Sequence, residues 1–396
     1  MKMPDGAIVL YGAEWCPDCR RSKVFLADQR IAYTYVDLEK QPDGVDAVLA
    51  YNDGKQIIPT IVFPDGTHLA EPSNEELAEK LGLARSAVEN TYDVVIVGGG
   101  PTGLTTAIYT AREDLTTLVV ERSGLGGQAG ITERLDNYPG FPEGVGGGEL
   151  ASRFVEQAQR YGVELLAAVS VSSVSQEGGK LQVGLSTGQS ITAGAVVIAT
   201  GSRYRRTDAP GEADLIGAGV HFCATCDGPF YKDAEHVAVI GGGNSGLEEG
   251  LFLTKFARKV TVIERGKNSK ASKILQRKVA DHPQMQVMND TELLSFLASE
   301  DGHLRGVLVR SAGQERQIDV SGAFVFIGLD PNTGWLDGLL ELDDKGFILT
   351  NRMMETSMPG VYAAGDVRAG STKQLASAVG EGASVAMQIR MADSLN

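Results

Sequence analysis

Apolar residues along this chain fall into short runs separated by turn residues. AIVLY (7–11) suits a buried strand, and a helix from about Cys16 to Gln29 follows it. AYTYVDL (32–38) reads as a second strand and DGVDAVLAYN (43–52) as a second helix. TIVFPDGTHLA (60–70) reads as a hairpin, because Pro-Asp-Gly sits between two β-prone runs. Ser73, with Glu76 three residues on, forms a capping box that opens another helix. From Tyr92 the pattern changes. YDVVIV (92–97), a glycine cluster, a helix to about Arg112 and TTLVVE (116–121) make a β-α-β unit. The pattern recurs at HVAVI (236–240), a second glycine cluster, a helix to about Arg258 and VTVIE (260–264). The fold class expected is α/β: a thioredoxin-like domain, then two Rossmann-like (three-layer ββα) dinucleotide-binding domains.

Length and composition narrow the class. At 396 residues the chain is too long for one ordinary core. A net charge of −15 argues against nucleic acid or an anionic membrane as partner. No apolar run approaches a membrane span, and MKMPDGAIVLYG is too short in apolar residues for a signal peptide. All 4 cysteines lie in two C-x-x-C pairs, Cys16/Cys19 and Cys223/Cys226. Structural disulfides would not be spaced this way, so a cytoplasmic protein with two catalytic dithiols is expected. Half a zinc site is the competing reading of Cys16/Cys19, but zinc would want four ligands and the other pair lies roughly two hundred residues away, so no metal is expected.

In WCPDC, Cys16 opens a helix. Unpaired N–H groups and the positive dipole end favour its thiolate, which marks it as the attacking thiol. Cys19, one turn inside, reads as the resolving thiol, and Pro17 fits the first turn. Ile58-Pro59-Thr60 offers a candidate cis-proline beside the dithiol. Gly98, Gly100 and Gly103, with Pro101 and Thr102 between them, match G-x-G-x-x-G in the required place between strand and helix. Glu121 ends the next strand, where a carboxylate holds a ribose hydroxyl, and Arg122 follows. The second unit repeats this with Gly241, Gly243, Asn244, Ser245 and Gly246, and with Glu264 and Arg265 at the strand end. Two such units imply two dinucleotides. GGQAGITERLDNYPGFPEG (126–144) is too rich in glycine and proline for regular structure and reads as a binding loop. ARSAVENT (84–91) lacks a hydrophobic period and reads as a tether that reaches roughly 25 to 30 Å when stretched.

Residues 7–81 resemble a glutaredoxin, most closely the mycoredoxin branch. The resemblance implies Cys16 as nucleophile, Cys19 as resolving cysteine and Pro59 as the cis-proline beside the substrate disulfide. DGTHLAEPS stands where many glutaredoxins carry a Gly-Gly-x-x-Asp clamp, so glutathione is not carried over as substrate. From Tyr92 onward the chain resembles the low-molecular-weight thioredoxin reductases. The matches are GGGPTG, GGQ, NYPGFPEG, ATG (199–201), CATCDG, GGGNSG and GVYAAGD (360–366), in the shared order.

The reductase family implies an FAD domain interrupted by a nicotinamide domain. The expected division is 1–83, a linker at 84–91, a flavin domain of 92–203 with 331–396, and a nicotinamide domain of 204–330. Carried over, Gly127, Gln128 and Asn137 lie near the isoalloxazine. Ala199, Thr200, Gly201, Gly365 and Asp366 hold other parts of the flavin. Lys373, Gln374 and Leu375 open a helix aimed at the pyrimidine ring, and Lys373 stands where these reductases usually show arginine. The flavoprotein subunit of alkyl hydroperoxide reductase shares that lysine. Cys226 faces the flavin, Cys223 exchanges with the outgoing disulfide, and Asp227 is the acid/base. His221 reads as peripheral, with tuning of the thiols as the alternative. The family also implies a nicotinamide domain that rotates about hinges near 201–206 and 328–333, both loop-like here, and a homodimer.

IERGKNSKAS replaces the His-Arg-Arg of NADPH-preferring members. Glu264 would accept a free ribose hydroxyl and repel a phosphate, so NADH is the expected donor and NADPH the alternative. The expected function is passage of electrons from NADH through FAD to Cys223/Cys226, then to Cys16/Cys19, and on to a protein or low-molecular-weight disulfide. Reduction of a peroxiredoxin and dithiol oxidation by oxygen are alternatives within enzymes. A non-turnover redox sensor is the alternative outside them.

Overall fold

The structure is a computed structural model. It describes residues 7–393 except 14, 30, 133, 134, 136 and 337, and the side chains of residues 28, 131, 226 and 393 lie outside the description. The described chain forms two compact units, one of residues 1–131, 147–201 and 333–396, the other of residues 132–146 and 202–332.

The first unit begins with a four-stranded sheet in the order Tyr33–Asp37, Ile8–Gly12, Thr60–Val62, His68–Ala70. Its first pair is parallel and the others antiparallel. Alternation along Ile8–Tyr11 splits the strand between two cores, with Ile8 and Leu10 in one and Val9 and Tyr11 in the other. Helices Pro17–Asp28, Asp43–Tyr51 and Asn74–Lys80 complete this part. The last carries the expected capping box, Ser73 Oγ accepting from Glu76 N and Glu76 from Ser73 N.

A larger seven-stranded sheet follows in the same unit. Its order is Glu164–Leu166, Thr117–Val120, Thr91–Val97, Ser190–Ile198, Lys180–Leu185, Val171–Glu177, and Val361–Ala363 pairs with the end of Ser190–Ile198. The sheet is mixed, and in its parallel part Val95 and Val97 enter one core and Val94 and Ile96 the other, so both faces are covered there.

Residues 84–91 do not behave as the free tether expected. Gln189 brackets Ala87, its Oε1 accepting from Ala87 N at 2.9 Å and its Nε2 donating to Ala87 O at 3.0 Å. Glu164 Oε1 accepts from Val88 N at 2.8 Å, and Ala84 O accepts from Ala167 N at 3.2 Å. Ala87 is buried with Tyr92 in the core of the large sheet. Gln29 Nε2, at the end of Pro17–Asp28, donates to Ser123 O at 2.7 Å. A polar segment without a hydrophobic period is held here by its backbone groups, which composition does not reveal.

In the second unit, five parallel strands run in the order Val220–His221, Gly322–Val325, Val237–Ile240, Val260–Ile263, Met285–Met288. An antiparallel sheet of Thr291–Ala298, Leu304–Ser311 and Gln314–Asp319 forms a second layer, and helices Asn244–Leu253 and Lys273–Ala280 a third. The helix after the second glycine cluster therefore stops five residues short of the expected Arg258. Two stretches expected to be loops are regular. Gly127–Ile131 is helical despite its glycines. The supposed hinge loops pair as an antiparallel ribbon, Ser202–Tyr204 with Leu329–Pro331, and Arg205 Nε bonds Asp330 Oδ1 at 2.7 Å.

Candidate functional site

Cys16 is the N-cap of helix Pro17–Asp28. Its Sγ accepts the Cys19 N–H at 3.1 Å, satisfying one of the orphan donors of the first turn. Both thiols are free and buried. Burial first, and then the hydrogen bond with Cys16, push the Cys19 thiol up, so Cys19 keeps its proton. An added Cβ at Gly12 would lie 2.7 Å from Cys19 Sγ, so glycine there makes the room for that sulfur. The Ile58–Pro59 peptide is cis, with Ile58 O 3.9 Å from Cys16 Sγ. Trp15, beside the pair, is 63% exposed.

The first glycine cluster turns from strand Thr91–Val97 into helix Pro101–Ala111. Gly98 has φ +112°, and a Cβ there would sit 2.4 Å from Ala199 O. A Cβ on Gly103 would lie 1.9 Å from Gly98 O. Gly100, the N-cap, has no side-chain cap, and a Cβ on it would meet nothing closer than 3.9 Å. Open space in front of uncapped helix N–H groups is what a pyrophosphate requires. Glu121 Oε2 accepts from Gly99 N at 2.7 Å and its Oε1 from Ser123 N at 2.8 Å, which fixes the carboxylate at the strand end.

Several expected flavin residues lie in the same unit. Ala199, Thr200 and Gly201 follow strand Ser190–Ile198, and Ala199 packs on Gly98. Gly365 packs on Thr102, 2.3 Å from Thr102 Oγ1 if a Cβ were added. Burial holds the Asp366 carboxyl above its ordinary range, although Ser371 Oγ donates to it at 3.1 Å. Lys373 has φ +58° and its Nζ donates to Asp366 O at 2.6 Å. Gln374 immediately precedes helix Leu375–Asp393, and Gln128 is exposed on Gly127–Ile131. Arg122 is exposed as well. Asn137, by contrast, belongs to the second unit, in the segment 132–146. The residues of the first unit thus fit a dinucleotide: an open turn, a fixed acid and a half-buried Asp366. Glu381 was not legible in the sequence. It accepts from Gly365 N at 2.7 Å and pairs with Arg368 at 2.8 Å, anchoring the GVYAAGD turn.

The second cluster repeats the first. Gly241 has φ +110°, a Cβ on Gly246 would lie 1.8 Å from Gly241 O, and one on Gly243 would meet nothing within 4 Å. Glu264 Oε2 accepts from Gly242 N at 2.7 Å and its Oε1 from Gly266 N at 2.6 Å. Asn244 Oδ1 accepts from Ser272 N at 2.8 Å, while Ser245 and Arg265 are exposed.

Cys223, in the same unit, is disulfide-bonded and precedes the turn Ala224–Asp227. Cys226 lies on that turn, and its side chain falls outside the described residues. His221 is not peripheral. Its side chain is 9% exposed, with Nδ1 3.5 Å from Asp227 Oδ2 and Nε2 2.7 Å from the Tyr231 hydroxyl. The H-x-x-x-x-x-D spacing was visible in the sequence, but only the bend after Val220–His221 brings the two side chains together.

Two dinucleotide turns, one disulfide and one free dithiol define a flavoprotein-type disulfide oxidoreductase with a thioredoxin-fold module ahead of it. The pyridine nucleotide-disulphide oxidoreductase family profile matches residues 92–382 and the glutaredoxin profile matches residues 8–69. A thioredoxin reductase from Bacillus subtilis is 38% identical over 305 residues, 76% of this chain and 95% of that protein. A bifunctional thioredoxin reductase/thioredoxin from Mycobacterium leprae is 38% identical over 307 residues, 76% of this chain and 66% of that protein. The crystal structure of a Streptococcus pyogenes thioredoxin reductase superposes with a TM-score of 0.73 at 35% identity, covering 78% of this chain and 99% of that one. The chain belongs to the pyridine nucleotide-disulphide oxidoreductases, in their thioredoxin reductase branch, and carries a glutaredoxin domain at its front. It is an oxidoreductase that works with a pyridine nucleotide, and thioredoxin reductases of this family use FAD. Among the described residues, no helix is long and apolar enough to cross a membrane, and no cluster of three or more His, Cys, Asp or Glu could hold a metal ion.

Proposed function

We propose that this chain is a self-contained disulfide reductase in which electrons from NADH reach the Cys223/Cys226 pair, pass to Cys16/Cys19, and leave to a protein or low-molecular-weight disulfide. Bound FAD, held by the Gly98–Gly103 turn, Glu121 and Asp366, would relay the two electrons between nicotinamide and disulfide. The chain's own residues do the rest. Cys223 exchanges with the next disulfide while Asp227 moves the proton. Cys16 attacks and Cys19 resolves. The observation that carries this reading is Cys16 Sγ capping its own helix at 3.1 Å from Cys19 N, with Cys19 kept protonated beside it. That is the asymmetry a nucleophile and a resolving thiol need.

NADH is preferred over NADPH because Glu264 occupies the end of strand Val260–Ile263 with both oxygens facing backbone N–H groups. A 2′-phosphate would meet its charge at close range. The domains divide as 1–83, 84–91, 92–203 with 331–396, and 204–330, in a cytoplasmic homodimer. A peroxiredoxin is the candidate protein acceptor, and direct oxidation of the dithiols by oxygen is the competing outcome.

The test is an anaerobic NADH titration of wild type beside Cys16→Ser, following flavin absorbance and free thiols. Wild type should take up about one more hydride equivalent per chain than the variant. Equal uptake would show that the front dithiol is not on the path.

A further inference from the structure

We propose that His221 and Asp227 act as one proton-holding pair for the Cys223 dithiol, with His221 as the partner that positions the Asp227 carboxyl. The proposal rests on the reading of Cys223 as the exchanging thiol and Asp227 as its acid/base.

A lone carboxyl with an ordinary pKa near 4 is almost wholly ionised at pH 7, roughly a thousandth of it remaining as acid. It is a poor donor to a departing thiolate. An imidazole, with an ordinary value near 6.5, exchanges its proton far closer to neutrality than a carboxyl does. Here the imidazole Nδ1 lies 3.5 Å from Asp227 Oδ2, and the ring is 9% exposed. Tyr231 makes the arrangement tolerant of both protonation states. Its hydroxyl, 2.7 Å from Nε2, can donate to a neutral ring or accept from a charged one. Burial, and then the Asp227 charge, push the Tyr231 phenol up, so the hydroxyl stays protonated. Phe324 packs on the ring with centroids 5.3 Å apart and Tyr231 lies edge-on at 5.4 Å, which holds the ring plane. Asp227 from the turn 224–227 and Tyr231 from the turn 228–231 are the titratable groups against the ring, and Phe324 from strand Gly322–Val325 is neutral.

In a fast equilibrium that precedes the attack, the Cys223 thiol gives its proton to the pair, and the thiolate attacks one sulfur of an external disulfide. A new S–S bond forms to Cys223, the external S–S bond breaks, and the departing thiolate takes the proton back from the pair. The second thiol of the C-x-x-C motif then attacks the Cys223 sulfur of the mixed disulfide, closing the intramolecular disulfide and releasing the other half of the external disulfide, which leaves with the second thiol's proton. The dithiol is oxidised and the external disulfide reduced, with no net proton held by the pair.

Leaving-group dependence separates this role from a structural one. The full chain carrying Cys16→Ser and Cys19→Ser is reduced chemically, freed of reductant, and reacted with two neutral disulfides. Hydroxyethyl disulfide expels a thiolate that needs a proton, whereas a dipyridyl disulfide expels one that does not. Thiol loss is followed in each case, without nicotinamide and independently of flavin turnover. His221→Gln in this background should slow the aliphatic exchange about tenfold or more at neutral pH, and leave the aromatic exchange within about twofold. Tyr231→Phe should give a smaller change of the same kind. Equal slowing of both disulfides, or slowing of neither, overturns the pair. Asp227→Asn separates the two levels. If Asp227→Asn slows the aliphatic exchange and His221→Gln does not, only the His221 proposal fails. If Asp227→Asn changes neither exchange, the acid/base reading beneath it fails as well.

Discussion

The two glycine turns are nearly superimposable in their chemistry and opposite in their surroundings. Gly98 and Gly241 share a φ near +110°, both helices begin at uncapped glycines, and Glu121 and Glu264 each bridge two backbone N–H groups. Around the first turn the structure closes. Thr102 is buried, Gly382 of helix Leu375–Asp393 lies against Thr102 O, and Gly126 N donates to Gly99 O at 2.7 Å. Around the second, Asn244 and Ser245 are exposed in the places of Pro101 and Thr102. The same cradle, sealed or open, suits two different residence times: a cofactor that stays and a co-substrate that must leave each cycle.

The sharpest way to break this comparison is to fill both turns. Gly103→Ala and Gly246→Ala each place a methyl under 2 Å from a carbonyl oxygen, 1.9 and 1.8 Å respectively. Each should cost about 1–3 kcal/mol in thermal melts. Gly103→Ala should be isolated largely without flavin. Gly246→Ala should keep its flavin colour and raise the NADH KM by about tenfold or more. Loss of flavin from Gly246→Ala would reverse the assignment of the two turns.

A second change attacks the seal alone. Gly382→Val sets side-chain atoms against Thr102 O, where even a Cβ would come within 2.4 Å. Flavin dissociation, measured by dilution fluorescence, should quicken several-fold while the NADH KM holds, in line with overpacking of a helix contact. An unchanged flavin off-rate would mean the C-terminal helix does not retain the cofactor.

The open turn is sharpened through its acid. Glu264→Gln keeps a group that can hydrogen-bond a hydroxyl and removes the charge that repels phosphate. The NADPH-to-NADH ratio of kcat/KM should rise about fivefold to tenfold. No change would assign donor choice to Arg265, Lys267 or Lys270, all exposed on the following loop.

Much of this contrast was legible before any coordinates. The strand-glycine-helix-strand-acid pattern specifies a cradle because only glycine fits where Gly103 and Gly246 pass under a carbonyl. The capping box at Ser73 and the cap at Cys16 are likewise local, set by neighbours three residues apart. What escaped was set by distant partners. The segment 84–91 is pinned by Gln189 and Glu164, 102 and 76 residues away from the backbone groups they bind. The ribbon between 202–204 and 329–331 joins two stretches that each read as loop, because a three-residue strand carries no period of its own. Gly127–Ile131 is helical against its composition, its glycines drawn close to the first turn, with Gly127 3.0 Å from Gly100 if a Cβ were added. His221 was misjudged because an isolated histidine in a sequence has no direction.

The smallest expected effect belongs to that ribbon. Arg205 and Asp330 pair at 2.7 Å but are 53% and 38% exposed. Arg205→Ala should therefore lower stability by about 0.5 kcal/mol or less in denaturant melts, and leave both nucleotide turns unaffected. A loss well beyond that would show the ribbon to be a structural staple.

The sulfur of Cys16 also has a thermodynamic direction. As a helix cap it gives the reduced front dithiol an interaction with the Cys19 N–H, whereas Cys223 leads into a turn of only 4 residues, too short for a comparable dipole. Stabilising the reduced form of a dithiol raises its reduction potential. On the proposed path the front pair would then be the stronger oxidant of the two, and electrons would run downhill from the reductase into the module fused ahead of it. Equilibration of each pair, the other replaced by serines, against a glutathione redox series should place Cys16/Cys19 at the higher potential. The opposite order would make the front domain a donor to the reductase.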